Sequence, residues 1–303
     1  MSAAAAAAAG PAGGTKREVL KYGAHYNAYS KSGDTHFNTY VDALRELVDN
    51  SVQYALDGNT QAGENPEIRI IISLKGQAKD HTVAVGDNGR GMNEEHLRDF
   101  LMYFKTQEDR GIVSAASGTS VSRTMDDNEI GKYGIGAKEA VFFLGDGVSL
   151  VTKHNDEPYV RRISMSKVRY KQRAEAEEEA LQDTMLTDKW EHGAPLPAPE
   201  DLQLCEAVGG EDGLLQRYTY DTHYNLMILP QFEHSSRLLG TNPDETKKHV
   251  NQLAQELANT YAFSMFPEKY DQLWNHRMST QASQAHRSTK GCKIDLIFRS
   301  DDG

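Results

Sequence analysis

A chain of 303 residues, 38% hydrophobic and 25% charged, is long enough for a sizeable core and for more than one structural unit. Its formal net charge of −11 argues against a general nucleic-acid surface on this segment. The two cysteines, Cys205 and Cys292, have no paired spacing, which excludes a disulfide framework or a zinc site and suits a reducing compartment. No run of about eighteen apolar residues is present, so no membrane span is expected.

Residues 1–15 are low in complexity, lack the basic and strongly apolar regions of a signal peptide, and are expected to form a disordered tail. HYNAYSKSGDTHF (25–37) reads as an ordered lead-in with aromatic anchors. Over 35–58, Val41, Leu44, Val48, Val52 and Ala55 recur at helical spacing, with Gly58 as a stop. EIRIIISL (67–74) is short and β-branched, and HTVAVGD (81–87) alternates, so the two are expected to pair as a hairpin. NEEHLRDFLMYF (93–104) predicts a second amphipathic helix, and the aperiodic Gly/Ser/Thr-rich stretch to residue 130 predicts a mobile loop. GKYGIGAKEAVFFLGD (131–146) is a glycine loop opening into an apolar helix. Strands are expected over 148–154 and 159–166, a charged helix over 167–190, and a loop or insertion over 193–213. A strand over Tyr224–Leu229, a long helix over 245–266 and the strand CKIDLIFRS complete the chain. Helix, two strands, helix, loop, helix and further strands suit an α+β sandwich better than an alternating parallel sheet.

Three short stretches carry chemistry. Glu46 and Asn50 lie one helical turn apart, with Asp49 between, on a face turned from the apolar stripe. A carboxylate beside a carboxamide suits Mg²⁺ and a water to be activated, although a solvated helix face explains the same letters and is the better reading of this stretch alone. Asp87 ends a strand and is followed by Gly89 and Gly91. An ionised carboxylate only accepts hydrogen bonds, so it would select a partner bearing N–H, such as the exocyclic amine of adenine, while the glycines admit a flat ring. A type I turn on Asp-Asn-Gly would also account for it. GKYGIGAKEA is neither a Walker loop, since Ala137 precedes Lys138 and no Ser/Thr follows, nor a dinucleotide fingerprint, since Glu139 stands where a small residue is needed. Backbone amides freed by Gly134 and Gly136, with Lys132 and Lys138 adding charge, form a polyanion cradle, and a glycine-rich N-cap is an equal reading.

In chain order the stretches run helix Glu-x-x-x-Asn, strand Asp-x-Gly-x-Gly, loop, Gly-x-x-Gly-x-Gly, helix. This resembles the gyrase, chaperone, histidine-kinase and MutL (GHKL) ATPases, strongly over about residues 25–166 and weakly beyond. Within that family, YGIGAKEAVFFLGD, HYNAYSKSG and ELVDNS most resemble the structural-maintenance-of-chromosomes flexible-hinge-domain proteins, and next the Microrchidia (MORC) ATPases. The resemblance implies the GHKL (Bergerat-type) fold: a mixed, mostly antiparallel sheet with helices on one face. It implies ATP and Mg²⁺ as ligands, with Glu46 as general base, Asn50 as metal ligand and Asp49 as a supporting polar group. Asp87 would read adenine, with Gly89, Gly91 and Met92 lining the base. Gly131, Gly134 and Gly136 would hold the phosphates, joined by Lys105, Tyr133, Ile135, Ala137 and Lys138.

Two positions depart from the family. Asn225 stands where a threonine often supports the adenine-reading acid, and the transducer lysine that senses phosphate has only Lys247 and Lys248 as counterparts. The implied organisation is a nucleotide-binding domain over 16–235, with a lid at about 105–130 and an insertion at about 170–215. A helix–strand extension over 236–303 would begin a transducer-like region. The resemblance implies slow ATP hydrolysis coupled to lid closure and homodimerisation, in chromatin organisation or silencing in the nucleus. Chromatin or DNA would be reached through regions outside this chain or through a partner, and the chain is expected to be a fragment of a longer protein. A nucleotide-gated interaction module without appreciable hydrolysis is the rival. A histidine kinase fits less well, because that catalytic domain is shorter and no upstream helix presents a phospho-acceptor histidine.

Overall fold

The computed structural model describes residues 16–21, 36–56, 65–101, 136–168, 184–191, 223–265 and 291–301. The expected tail, most of the lead-in, the lid, the glycine loop before Gly136 and most of the insertion lie outside these residues.

Eight strands and four α-helices are described in chain order, besides two short 3₁₀ turns. They are β1 (Lys16–Lys21), α1 (Tyr40–Leu56), β2 (Glu67–Leu74), β3 (Thr82–Asp87), α2 (Glu94–Leu101), α3 (Gly136–Leu144), β4 (Gly147–Lys153), β5 (Tyr159–Ser166), β6 (Thr184–Glu191), β7 (Tyr224–Pro230), α4 (Pro243–Met265) and β8 (Lys293–Ser300). The strands form one eight-stranded sheet in the order β1-β6-β5-β4-β7-β3-β2-β8. Every pairing is antiparallel except the parallel one between β2 and β8. This is the α+β sandwich expected from the order of elements. Among the described residues no helix is long and apolar enough to cross a membrane.

Local chemistry sets the helix starts. Thr39 caps α1, its hydroxyl 3.1 Å from the Asp42 amide and 2.7 Å from the Asp42 carboxylate. Asn93 accepts from the His96 amide at α2, and Asn242 from the Glu245 amide just ahead of Pro243 at α4. The apolar stripe of α1 packs with Leu97 of α2, Ala140, Val141 and Leu144 of α3, and Leu253 and Leu257 of α4 in one core against the sheet. Ile70, Ile72, Val83 and Val85 face that core, while their neighbours Ile71 and Ala84 on the opposite side are buried too. Burial on both sides explains why β2 reads as a continuous apolar run rather than an alternating one.

The charged helix expected over 167–190 is a correction. Residues 184–190 belong to β6, which pairs with β5 on one side and β1 on the other. The Glu-rich run before it suggests a helix, but Thr184, Thr187 and Trp190 suit a strand and two neighbouring backbones accept it. Strand β1, to which the sequence reading assigned no element, has its only described partner in β6.

Candidate functional site

The end of β3 and the start of β7 lie side by side, with Asp87 opposite Asn225 in the register, and Asn225 opposite Thr152 of β4 on its other side. That register builds a buried polar chain. Asn225 donates from Nδ2 to Asp87 Oδ1 at 3.0 Å, and its Oδ1 lies 2.8 Å from the Thr152 hydroxyl. The Thr152 hydroxyl in turn accepts from the Met92 amide at 2.7 Å. Asp87 Oδ1 also accepts from the Gly89 amide at 3.0 Å, a side-chain turn over Asp-Asn-Gly. Asn88 ties the turn to the start of β2 through the Glu67 amide at 2.7 Å.

Asp87 is buried, which pushes its carboxyl up to about 6 despite the opposing effects of Asn225, Ser51, Gly89 and His223. The Ser51 hydroxyl is buried beside that carboxylate, without a well-aligned hydrogen bond among the described residues. His223 lies with Nδ1 2.9 Å from the Gly89 carbonyl, to which it donates.

Gly91 has φ +72°, and a Cβ there would fall 1.9 Å from the Lys153 carbonyl oxygen. Both the left-handed backbone and the close approach of β4 require glycine. Gly91→Ala is expected to destabilise the protein by about 3 kcal/mol or more, because the obstacle is backbone that cannot swing away. Chemical denaturation of the variant against wild type measures this.

A second group of residues gathers where α1 meets α3. Glu46 is half-buried on α1, and a Cβ on Gly136, the first residue of α3, would lie 2.0 Å from Glu46 Oε1. The bare Cα of Gly136 therefore admits the carboxylate. Burial raises the Glu46 pKa, as does the Asp49 charge, whereas Asn50 and His36 lower it. Asn50 donates from Nδ2 to the Glu46 backbone carbonyl at 2.7 Å, which leaves its Oδ1 as a neutral oxygen ligand. Asp49 points to α4 instead, where the Tyr261 hydroxyl lies 2.8 Å from its Oδ1 and 3.0 Å from the Arg45 carbonyl. Burial raises Asp49, and the Tyr261 hydrogen bond and Arg45 oppose the rise.

The structure thus brings Asp87, Gly89, Gly91, Met92 and Asn225 together, and Glu46, Asn50 and Gly136 together. Helix α1 joins the two groups, since Ser51 beside Asp87 directly follows Asn50. Ala137 packs against the core. Lys138 is buried with its ammonium 5.6 Å from the centre of the Phe100 ring, a cation–π contact with α2. Lys105, Gly131, Tyr133, Gly134 and Ile135 lie outside the described residues. The sequence reading did not single out Ser51, Thr152 or His223. Ser51 adjoins the ELVDN stretch, whereas Thr152 is placed by strand register and His223 by a contact 134 residues away in the chain, and neither carries a local signal.

Helix Glu-x-x-x-Asn and strand Asp-x-Gly-x-Gly converging on one mixed sheet define a nucleotide-binding domain of the GHKL type. Residues 38–193, just over half of the chain, match the model of the histidine kinase-, DNA gyrase B- and HSP90-like ATPases, and the chain belongs to that family. Membership implies ATP binding. The chain is 32% identical over 168 residues to the mouse structural maintenance of chromosomes flexible hinge domain-containing protein 1, and 30% identical over 165 residues to the human one. Each match spans 50% of this chain and 8% of the relative. It is also 33% identical over 86 residues to the chaperone protein HtpG of Sulfurovum, which spans 28% of this chain and 13% of that protein.

Proposed function

We propose that this chain binds Mg-ATP at the Asp87 and Glu46 groups and hydrolyses it slowly. Binding is coupled to closure of the 105–130 segment and to homodimerisation. The observation that carries the reading is Asp87, a buried carboxylate kept in place by Asn225 and the Gly89 amide, both on Oδ1. A carboxylate so placed in a family of ATPases is an acceptor for the adenine amino group.

At the other end of the site, Glu46 takes the proton of the attacking water as that oxygen bonds to the γ-phosphorus and ADP departs. Its raised pKa suits a general base working near neutral pH. Asn50 Oδ1 fits Mg²⁺, which takes one or two protein oxygens and completes its shell with substrate phosphates and water. Held there, the ion would supply charge neutralisation on the phosphates. Gly136 opens α3 beside Glu46, and the unpaired amides at the start of a helix suit the phosphates.

The family resemblance and the names of the two chromosome-maintenance relatives support a nuclear role in chromatin organisation or silencing, with DNA contact supplied from outside this chain. The test is thermal unfolding with and without Mg-ATP beside a phosphate-release assay. A ligand at about 100 times its dissociation constant adds roughly 2.7 kcal/mol of stability. Stabilisation with phosphate release is the expected result. Stabilisation without release would favour the nucleotide-gated module, and no stabilisation at millimolar ATP would overturn both.

A further inference from the structure

Glu139 is the residue that breaks the dinucleotide pattern, and the hydrolytic reading gives it no part. It is an acidic side chain in the apolar helix GAKEAVFFL, and it is buried. Its Oε2 has no well-aligned hydrogen bond among the described residues and lies 3.1 Å from His36 Nδ1. His36 sits just ahead of α1, with its ring 63% exposed. Glu139 is one helical turn beyond Gly136, so both share the side of α3 that meets α1.

The same end of α1 is tied to α3 a second time. The Phe37 and Phe143 rings are 5.7 Å apart, Phe143 stacks on His234 at 4.6 Å, and His234 faces Tyr40 at 6.3 Å. An aromatic seam and a polar contact therefore hold the start of α1 against α3. Ten residues further along, α1 lays the Glu46 carboxylate in the space that a side chain at position 136 would fill.

We propose that the contact between His36 and Glu139 is a positioning device that sets α1 against α3 and so holds Glu46 at the hydrolytic position. A half-buried carboxylate seated in the space beside a bare Cα moves with the helix that carries it, so a shift of about 1 Å between these helices displaces it. Reacting groups lose much of their rate advantage over displacements of that size. His36 contributes through the closeness of Nδ1 to a buried carboxylate, so a substitute must offer a polar nitrogen at the place of Nδ1. Other charged groups facing this junction are Glu46 and Asp49 of α1, with Asp49 engaged by Tyr261 of α4, while Lys138 of α3 turns to Phe100 of α2.

The inference rests on the hydrolytic reading above. The experiment compares steady-state ATP hydrolysis by the full chain with that of His36→Leu and His36→Asn. Asparagine presents its amide N–H where Nδ1 lies, and position 36 is exposed enough for either variant to fold. His36→Leu is expected to lower kcat three- to tenfold with KM within twofold of wild type, and His36→Asn to recover at least half of the lost rate. An unchanged kcat in His36→Leu overturns the proposal. So does a parallel change in kcat and KM, or an Asn variant as slow as the Leu one. Wild type that binds ATP but turns over no faster than Glu46→Gln overturns the hydrolytic reading, and this inference with it.

Discussion

Asp87→Asn is expected to abolish the response to ATP while yielding a folded protein more stable than wild type at neutral pH. Asp87 Oδ1 already accepts from Asn225 and from the Gly89 amide. An asparagine keeps its own carbonyl oxygen in those two bonds, which turns its NH₂ to the place of Oδ2. A donor then meets the adenine amino group, itself a donor. Loss of a charge-assisted hydrogen bond, with two donors left facing, weakens binding on the order of 100-fold. The stability gain has the opposite sign for a separate reason. Burial lifts the carboxyl from an ordinary 3.8 to about 6, so the ionised form opposes folding by on the order of 3 kcal/mol. Because the folded state holds this proton more tightly than the unfolded one, the group's contribution is most favourable below about pH 4. It declines as pH rises to about 6 and stays flat above. Denaturant titrations between pH 4 and 8 should show that declining segment in wild type and lack it in the variant. Wild-type ATP affinity should also fall as the pH drops through 6, when the acceptor is lost. A variant that keeps the wild-type thermal shift with Mg-ATP would remove Asp87 from the base site.

That opposition between stability and binding explains which parts of the site could be read from the letters. An acid at a strand end between glycines is legible as an acceptor, since a carboxylate with nothing to accept from would be a poor thing to bury. The helix carrying Glu46 and Asn50 is legible because 3.6-residue periodicity separates their face from the apolar stripe. Asn225 could be placed beside Asp87 only through the family resemblance, because their contact spans 138 residues and depends on the register of β3 with β7. Thr152, which holds both Asn225 and the Met92 amide, belongs to a third strand and leaves no trace in local spacing. The same limit applies to β6. Its preference for sheet comes from β1 and β5 on either side, whereas the acidic run just before it speaks for a helix. Local chemistry set the elements, and long-range pairing chose among the ambiguous ones.

At the other end of the site, Glu46→Gln is expected to slow ATP turnover by about 10²–10⁴-fold while leaving ATP-dependent stabilisation intact, since a carboxamide cannot take the water's proton. Gly136→Ala separates the chemistry of that carboxylate from its position. A methyl group there would meet Glu46 Oε1 at 2.0 Å, but the obstacle is the far end of a flexible side chain and can move aside. Gly136 opens α3 without a left-handed backbone, so alanine adds helix propensity, and the variant should be within about 1 kcal/mol of wild type in stability. Its turnover should nevertheless fall at least tenfold, because the carboxylate is displaced from the one direction in which the glycine admits it. Single-turnover phosphate release with saturating Mg-ATP, beside denaturant unfolding, reads both quantities on the same samples. If Gly136→Ala hydrolyses ATP like wild type, the close approach of α3 to Glu46 has no catalytic meaning. If it loses turnover and stability together, the glycine serves packing, and the base must be sought elsewhere on α1.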